Sequence, residues 1–380
     1  MTIVTVIACL AYLGFLLFER QRNTVARRAL PHVIHVNGIR GKSSICRLID
    51  AGLRAGGFAV FTKTTGTCPS TLQVDGSEQP LRRKGLPSIK EQLQIIRQAA
   101  RQRADVLVIE CMAVLPEYQQ ISEERMLCSD IGVISNVRLD HSEEMGNTLD
   151  EVAEALSNTI PRHGTLFTAD VAYADYFSTA AAKKGSAHHA IGIANAEFSV
   201  IDFADNVALA LAVCRHLGVP EAIALEGMKT YRKDPGAFSV ETLSGDTGCA
   251  LLFLNALAAN DPGSAGMILD MAEAQGLLAS GKKILLINNR HDRPARVQQF
   301  IDFSLKHAHR FDSFIATGSC RQLTRRALLK GGIAGERITL LNSFSRLAEL
   351  KENAVIFAVG NIVGSGKEQR QQLEESNHVG

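Results

Sequence analysis

The sequence predicts an α/β protein in three parts: an N-terminal membrane-anchor helix, a parallel-sheet domain built around a phosphate-binding loop, and a second open α/β domain. Three observations carry this expectation. Thr2 to Phe18 is an apolar run without a charged residue. From His32 onward, short β-branched runs alternate with helical stretches, the rhythm of a parallel sheet covered on both faces. A glycine-rich turn, HVNGIRGKSS from His35 to Ser44, joins the first such run to the first helix.

As a helix, Thr2 to Phe18 spans about 26 Å at ~1.5 Å per residue, the short end for crossing a bilayer. Arg20, Arg22, Arg27 and Arg28 follow it, no basic residue precedes it, and no small-residue cleavage site follows. An uncleaved signal anchor is therefore expected over a secreted leader. Because a basic flank stays in the cytoplasm, the expectation is a single-pass protein of the cell membrane with its catalytic body cytoplasmic. Residues 1–30 are read as anchor and basic linker. The competing reading is a hydrophobic helix buried in the globular fold.

At 380 residues the chain exceeds one typical domain, and two domains are expected after the anchor, placed at 31–240 and 241–380. The net charge of +2 gives no basic field for nucleic acid, and no clustered Lys/Arg tract with interleaved aromatics occurs. Cys9, Cys46, Cys68, Cys111, Cys128, Cys214, Cys249 and Cys320 form no Cys-x-x-Cys pair. Buried free thiols in a reducing compartment are expected, rather than a zinc site or disulfides.

The glycine turn has the order strand (His32 to Val36), turn, helix (Ser43 to Ala55), which points backbone N–H groups and the positive end of a helix at an anion. Gly38 and Gly41 let the main chain approach a polyphosphate, Lys42 reaches its terminal phosphates, and Ser43, followed by Ser44, offers a hydroxyl to magnesium. The strict nucleotide-loop pattern fails at Val36, but the shorter Gly-x-x-Gly-Lys-Ser fits. The alternative is a glycine turn with a surface lysine.

Further strands are expected at Phe58 to Phe61, Asp105 to Glu110, Ile131 to Asn136 and Thr165 to Thr168. In such sheets ligands bind beyond the carboxyl ends of the strands, where Thr64, Thr65, Gly66 and Thr67, Glu110, and Asp140 with His141 all fall. A polyphosphate calls for a hard cation with oxygen ligands, so Glu110 is the expected partner of Ser43 on magnesium, with manganese as an alternative and His141 on a second metal. Helices are expected at Phe203 to Leu217 and Glu221 to Tyr231, and Lys233-Asp234-Pro235-Gly236 breaks the pattern.

A second alternation follows: CALLFLN, KKILLIN, FDSFIAT, RITLL and AVIFAV. This predicts a Rossmann-like domain after the P-loop-type ATPase domain. Its glycine loop, Gly360 to Lys367, is followed by Glu368 and so lacks the metal-binding hydroxyl. The loops NALAANDPGS and NNRHDRPAR follow strands, and their asparagines and charges are placed to close over a nucleotide.

Taken in order, VNGIRGKSS, KTTGT, IECMAV, NVRLDH, DPG, AANDP and VGNI resemble the ATP-dependent Mur ligase superfamily. The resemblance is strongest to the membrane-anchored ligase subunits of capsule-type poly-γ-glutamate synthases, and it covers nearly the whole chain. It implies ATP phosphate binding by Gly38, Gly41 and Lys42, magnesium binding by Ser43 and Glu110, a second metal on His141, and adenine facing Asn206. Asn255 and Asn260 loosely echo the ribose-binding box. Arg290, Asp292 or Arg293 would complete the site on closure. The implied reaction is amide ligation through an acyl phosphate, acting on glutamate or a poly-γ-glutamate chain. The implied partners are other membrane subunits of a polymer synthesis and export complex, with a homo-oligomer also open.

Departures from the family pattern are the Gly236-Ala237 pair in place of glycine-arginine, no preceding UDP-sugar domain, and no assigned modified lysine, Lys183 and Lys184 being nearby candidates. Two other classes remain open: a membrane-tethered nucleotide switch or motor ATPase, and a non-catalytic ATP-binding assembly subunit.

Overall fold

Ahead of the glycine turn, the run HVIHVN forms a central strand with its last five residues buried, because apolar side chains here face helices on both sides of the sheet. The computed structural model describes residues 2–361 except 67, 68, 84, 193, 235, 236, 245–247, 260, 292 and 293. Two compact units, Met1–Pro235 and Gly236–Gly380, divide the chain.

The strands of the first unit are β1 (His32–Asn37), β2 (Val60–Thr64), β3 (Ser70–Leu72), β4 (Glu78–Pro80), β5 (Val106–Glu110), β6 (Ile131–Ile134), β7 (Thr165–Thr168) and β8 (Ala187–Ala190). Its helices are α1 (Thr2–Arg28), α2 (Lys42–Ala55), α3 (Glu91–Arg101), α4 (Pro116–Ile121), α5 (Ser142–Met145), α6 (Leu149–Ser157), α7 (Ala174–Lys183), α8 (Ala204–His216) and α9 (Glu221–Lys229). A π-helical turn, Ser122–Leu127, continues α4.

The sheet order is β4-β3-β2-β5-β1-β6-β7-β8. Strands from β2 to β8 are parallel, and β3 and β4 add antiparallel at one edge. The loops after β1, β2, β5 and β6 therefore open on one edge of the sheet. On one face Ile45, Leu48, Ile49 and Leu53 of α2 pack between sheet residues Ile34, Val36, Val106 and Val108 and the helical residues Val207, Val213 and Met228. On the other face Leu30, Ile95, Ile96 and Ala99 cover Val33, Phe61, Leu107 and Ile109.

In the second unit β9 (Ser239–Ser244), β10 (Ala250–Asn255), β11 (Lys282–Asn288), β12 (Ser313–Thr317), β13 (Ile338–Leu340) and β14 (Ala354–Gly360) alternate with α10 (Pro262–Ala274), α11 (Pro294–Lys306) and α12 (Arg321–Lys330). Their order is β13-β12-β11-β14-β10-β9, parallel except for β9.

Four differences from the sequence expectation have physical causes. Strand β2 runs on to Thr64, since Lys63 pairs with both β5 and β3 and Thr64 pairs with β3. The edge strands β4, β8 and β9 lack long apolar runs, because an edge buries less, and β3, buried between β4 and β2, is only three residues long. The basic segment before Pro31 is not a linker: α1 continues through Arg28 and docks on the first unit. Of the described cysteines all are free thiols, but Cys9 and Cys128 are exposed and only Cys46, Cys111 and Cys214 are buried. Cys68 lies outside the described residues.

Candidate active site

Between β1 and α2 the backbone turns through Gly38, at φ 122°, and Gly41, at φ 83°. A Cβ on Gly38 would lie 2.0 Å from Ser135 Oγ, and one on Gly41 2.6 Å from Asn206 Oδ1. Both positions thus require glycine for conformation and for space. Lys42 opens the helix and folds its amine back over the turn, Nζ donating to the Gly38 carbonyl at 2.6 Å. A helix N-terminus and a lysine amine accordingly converge on one concave backbone segment, an arrangement suited to a polyphosphate.

Glu110 closes β5 beside Val36 of β1 and is 3% exposed. A carboxylate this buried is costly without donors. It has two: Ser43 Oγ donates to its Oε2 at 2.8 Å, and the Thr65 N–H donates to the same oxygen. Ser43 and Glu110, far apart in sequence, therefore share one oxygen-rich corner at the mouth of the phosphate loop. A hard divalent cation fits that donor set.

The loop after β6 is zipped onto the phosphate loop. Ile39 and Arg40 N–H groups donate to the carbonyl and side chain of Asn136, Ser135 Oγ donates to the Arg40 carbonyl at 2.6 Å, and Arg40 forms a 2.8 Å ion pair with Asp140. This brings the His141 segment to the site. The imidazole itself is half exposed and sits 3.8 Å from Asp140. Among the described residues no contact joins it to Glu110, and no group of three His, Cys, Asp or Glu side chains is set to hold a metal alone.

Behind the loop, Asn206 Nδ2 donates to Asp202 at 2.9 Å, and Tyr231 hydroxyl donates to the same carboxylate. Burial, together with Asp202, pushes the Tyr231 phenol far up, while a hydrogen bond with Ser44 opposes that shift. Asn206 and Ser44 thus buttress the turn from within the fold.

Sequence reasoning missed a buried arginine one helical turn beyond Ser43. Arg47 is 1% exposed and binds Glu78 at 2.5 Å, Ser70 at 3.0 Å and the Arg232 carbonyl at 3.2 Å, with Asp234 3.9 Å away. Asp234 and Ser43 meet across Gly66, whose added Cβ would lie 2.8 Å from the one and 2.7 Å from the other. Asp234, legible in the sequence only as a pattern break, therefore borders the site.

Two further polar groups are buried on interior strands β1 and β2. Lys63 is wholly buried and pairs with Glu91 at 2.9 Å. His35 Nδ1 lies 2.9 Å from Glu123 Oε2 on the π-helical turn. Burial alone would lower the imidazole, but the neighbouring Cys111 thiol and Glu123 carboxylate hold it up at about 9.

Other expected residues lie apart from this corner or outside the described chain. Lys184 caps a helix end, donating to the carbonyls of Ser157, Asn158 and Ile160, while Lys183 is exposed. In the second unit Asn255 is 2% exposed and accepts from the Leu257 N–H, and Arg290 follows β11 half-buried. Asn288 and Asn289, expected to close over a nucleotide, are instead buried and donate to the Asn361 carbonyl and Thr324. Asn260, Asp292, Arg293 and the loop from residue 362 lie outside the described residues.

Residues 36–213 match the Mur ligase middle domain, and residues 240–376 match the poly-gamma-glutamate synthase CapB C-terminal domain. The capsule biosynthesis protein CapB of Bacillus anthracis is 35% identical over 92% of this chain and 78% of its own length. The PGA synthase CapB of Bacillus subtilis (strain 168) is 34% identical over 97% of both chains. Among solved structures, E. coli FolC in complex with ADP aligns with a TM-score of 0.68 and 15% identity over 98% of each chain. A bifunctional folylpolyglutamate synthase/dihydrofolate synthase from Yersinia pestis, complexed with AMPPNP and a Mn ion, gives 0.66 and 15% over 93% of this chain and 92% of that one. Those two likenesses concern the fold; the two CapB relatives and the paired domains show that the chain belongs to the CapB family of poly-γ-glutamate synthases, built on the Mur ligase plan.

Proposed function

We infer that this chain is an ATP-dependent amide ligase of poly-γ-glutamate synthesis. The observation that carries the inference to particular residues is the Ser43–Glu110 corner at the mouth of a double-glycine phosphate loop, in a chain of this family. We assign residues 1–30 to the anchor and the basic segment that follows it, here docked on the first unit, 31–240 to ATP binding and 241–380 to the C-terminal domain.

In the proposed reaction a carboxylate oxygen of glutamate, or of a poly-γ-glutamate chain, attacks the γ-phosphorus of ATP and ADP departs. The amine of an incoming glutamate then attacks the acyl carbon, inorganic phosphate leaves and the amine loses a proton. Positioning and charge neutralisation are the protein's work here. Gly38 and Gly41 admit the phosphates to the backbone N–H groups, and Lys42 neutralises them. Ser43 and Glu110 would hold a magnesium or manganese ion, with His141 the proposed ligand of a second. A bound cation would supply Lewis-acid stabilisation of the phosphoryl oxygens. Asn206 is the proposed adenine contact, Asn255 and Asn260 the ribose-side contacts, and Arg290 and Arg293 the arginines that complete the site.

α1 is long and apolar enough to cross a membrane. We propose that it anchors a cytoplasmic ligase body among other membrane subunits, with a homo-oligomer also compatible. The test is phosphate release from ATP by the full chain in membranes. Stimulation by glutamate or a short γ-linked chain, lost in a folded Lys42→Ala variant, is expected. Hydrolysis indifferent to glutamate would favour a motor ATPase.

A further inference from the structure

α1 is one unbroken helix with two different surfaces. From Ile3 to Phe18 its large apolar side chains are exposed, Ile3 by 77% and Phe18 by 56%. From Glu19 onward one face turns inward: Glu19 and Ala26 are half-buried, Asn23 is 7% exposed and Leu30 2%. The positions 19, 23, 26, 27 and 30 recur at helical spacing. Asn23 Nδ2 donates to the Met126 carbonyl at 3.1 Å. Arg27 donates to the carbonyls of Leu127 and Cys128 at 2.6 and 2.8 Å and pairs with Asp130 at 2.7 Å. Asp130 in turn accepts from the Val33 N–H at 2.8 Å, tying the helix to the start of β1.

The apolar surface therefore ends where the docked surface begins, with no linker residue between Phe18 and Glu19. At that level Arg20 and Arg22 are exposed, and Arg22 lies 5.5 Å from the Phe18 ring, as a cation does when it reaches from a helix toward headgroups. We propose that the segment from Glu19 to Arg28 is a rigid coupling that seats the first unit directly against the anionic headgroups of the bilayer that α1 enters, at fixed height and orientation. This rests on the anchor reading of α1. A flexible tether would let the ligase body wander from the surface. A docked helix keeps it where a polymer bound for export leaves the site.

Trypsin tests this, since Arg20, Arg22, Arg27 and Arg28 all lie in the coupling. The full chain is placed in phosphatidylcholine vesicles with and without phosphatidylglycerol, and alkaline carbonate extraction first establishes insertion; a chain that extracts refutes the anchor reading itself. For inserted chain, cleavage in this segment should be at least tenfold slower than at sites in an inserted control carrying a glycine-serine linker between Phe18 and Glu19. Protection at Arg20 and Arg22, and with it at Arg27 and Arg28, should increase with phosphatidylglycerol. Arg27→Ala should abolish protection and release the ligase body. Arg20→Gln/Arg22→Gln, outside the packed interior, should remove only the lipid dependence, read at Arg27 and Arg28. Wild-type cleavage as fast as in the linker control would overturn the coupling. Protection that ignores lipid charge, or that needs another membrane protein, would overturn the headgroup contact.

Discussion

Ser43 Oγ donates a 2.8 Å hydrogen bond to Glu110 Oε2, joining the first turn of α2 to the end of β5 across a separation of 67 residues. This bond draws the two proposed cation donors together at the edge where the glycine loop after β1 opens. Glu110→Gln keeps the shape and removes the charge, so it should lower ATP turnover by roughly 100-fold, the scale of losing one electrostatic partner in a closed site. Its circular dichroism should match wild type. Raising the magnesium concentration should recover part of the activity if the loss lies in cation binding.

The second prediction concerns Gly41. At φ 83°, with Asn206 Oδ1 2.6 Å from an added Cβ, Gly41→Ala meets both backbone strain and a clash. It should cost about 1–3 kcal/mol of stability in urea unfolding. Nucleotide affinity should drop too, because the loop must open to admit the methyl group.

Arg47 supplies the third. Replacing this buried guanidinium with Met removes the interior cation that Glu78, Ser70 and Asp234 face, so Arg47→Met should destabilise the chain by about 3–5 kcal/mol. Arg47→Lys should recover little, since one ammonium cannot reproduce a planar fork that reaches Glu78, Ser70 and a carbonyl together. Both variants are compared by urea titration.

His35 gives a pH signature. Its folded value of about 9 lies above the ordinary 6.5, so the protonated imidazole beside Glu123 contributes stability that is complete below about 6.5. That contribution is lost as the pH rises through 9. The urea midpoint should fall over this window, and His35→Asn should flatten that slope. An unchanged slope in the variant would show that another group titrates there.

The strand–turn–helix unit at the glycine loop was legible because its pattern is local: strand, two glycines, lysine, serine and helix follow one another in the chain. The place of Glu110 was legible because a charge directly after VLVI demands a partner, and parallel strand order puts it at the edge where the β1–α2 turn opens. Arg47 was not, since an arginine in an amphipathic helix looks like a solvated one until β3, β4 and the segment before residue 235 close over it. Those strands are too short to show a period, and Asp234 disguised itself as a turn. The docking of Arg27 on Asp130 was hidden for a related reason: a basic stretch after an apolar run carries a topology signal that masks its packing role. His141 lies on the loop after β6, as the strand order implied, but whether a side chain at a loop tip turns toward a site depends on backbone angles that no pattern encodes. Its φ is 51°.

The central claim is activation of a carboxylate by phosphoryl transfer, and hydroxylamine trapping measures it most directly. Membranes carrying the full chain and its accompanying subunits are given ATP, magnesium, glutamate or a short γ-linked glutamate chain, and hydroxylamine. A glutamyl hydroxamate should appear only with ATP and disappear in Lys42→Ala. Continued ATP hydrolysis with no hydroxamate, at a rate unaffected by glutamate, would contradict it.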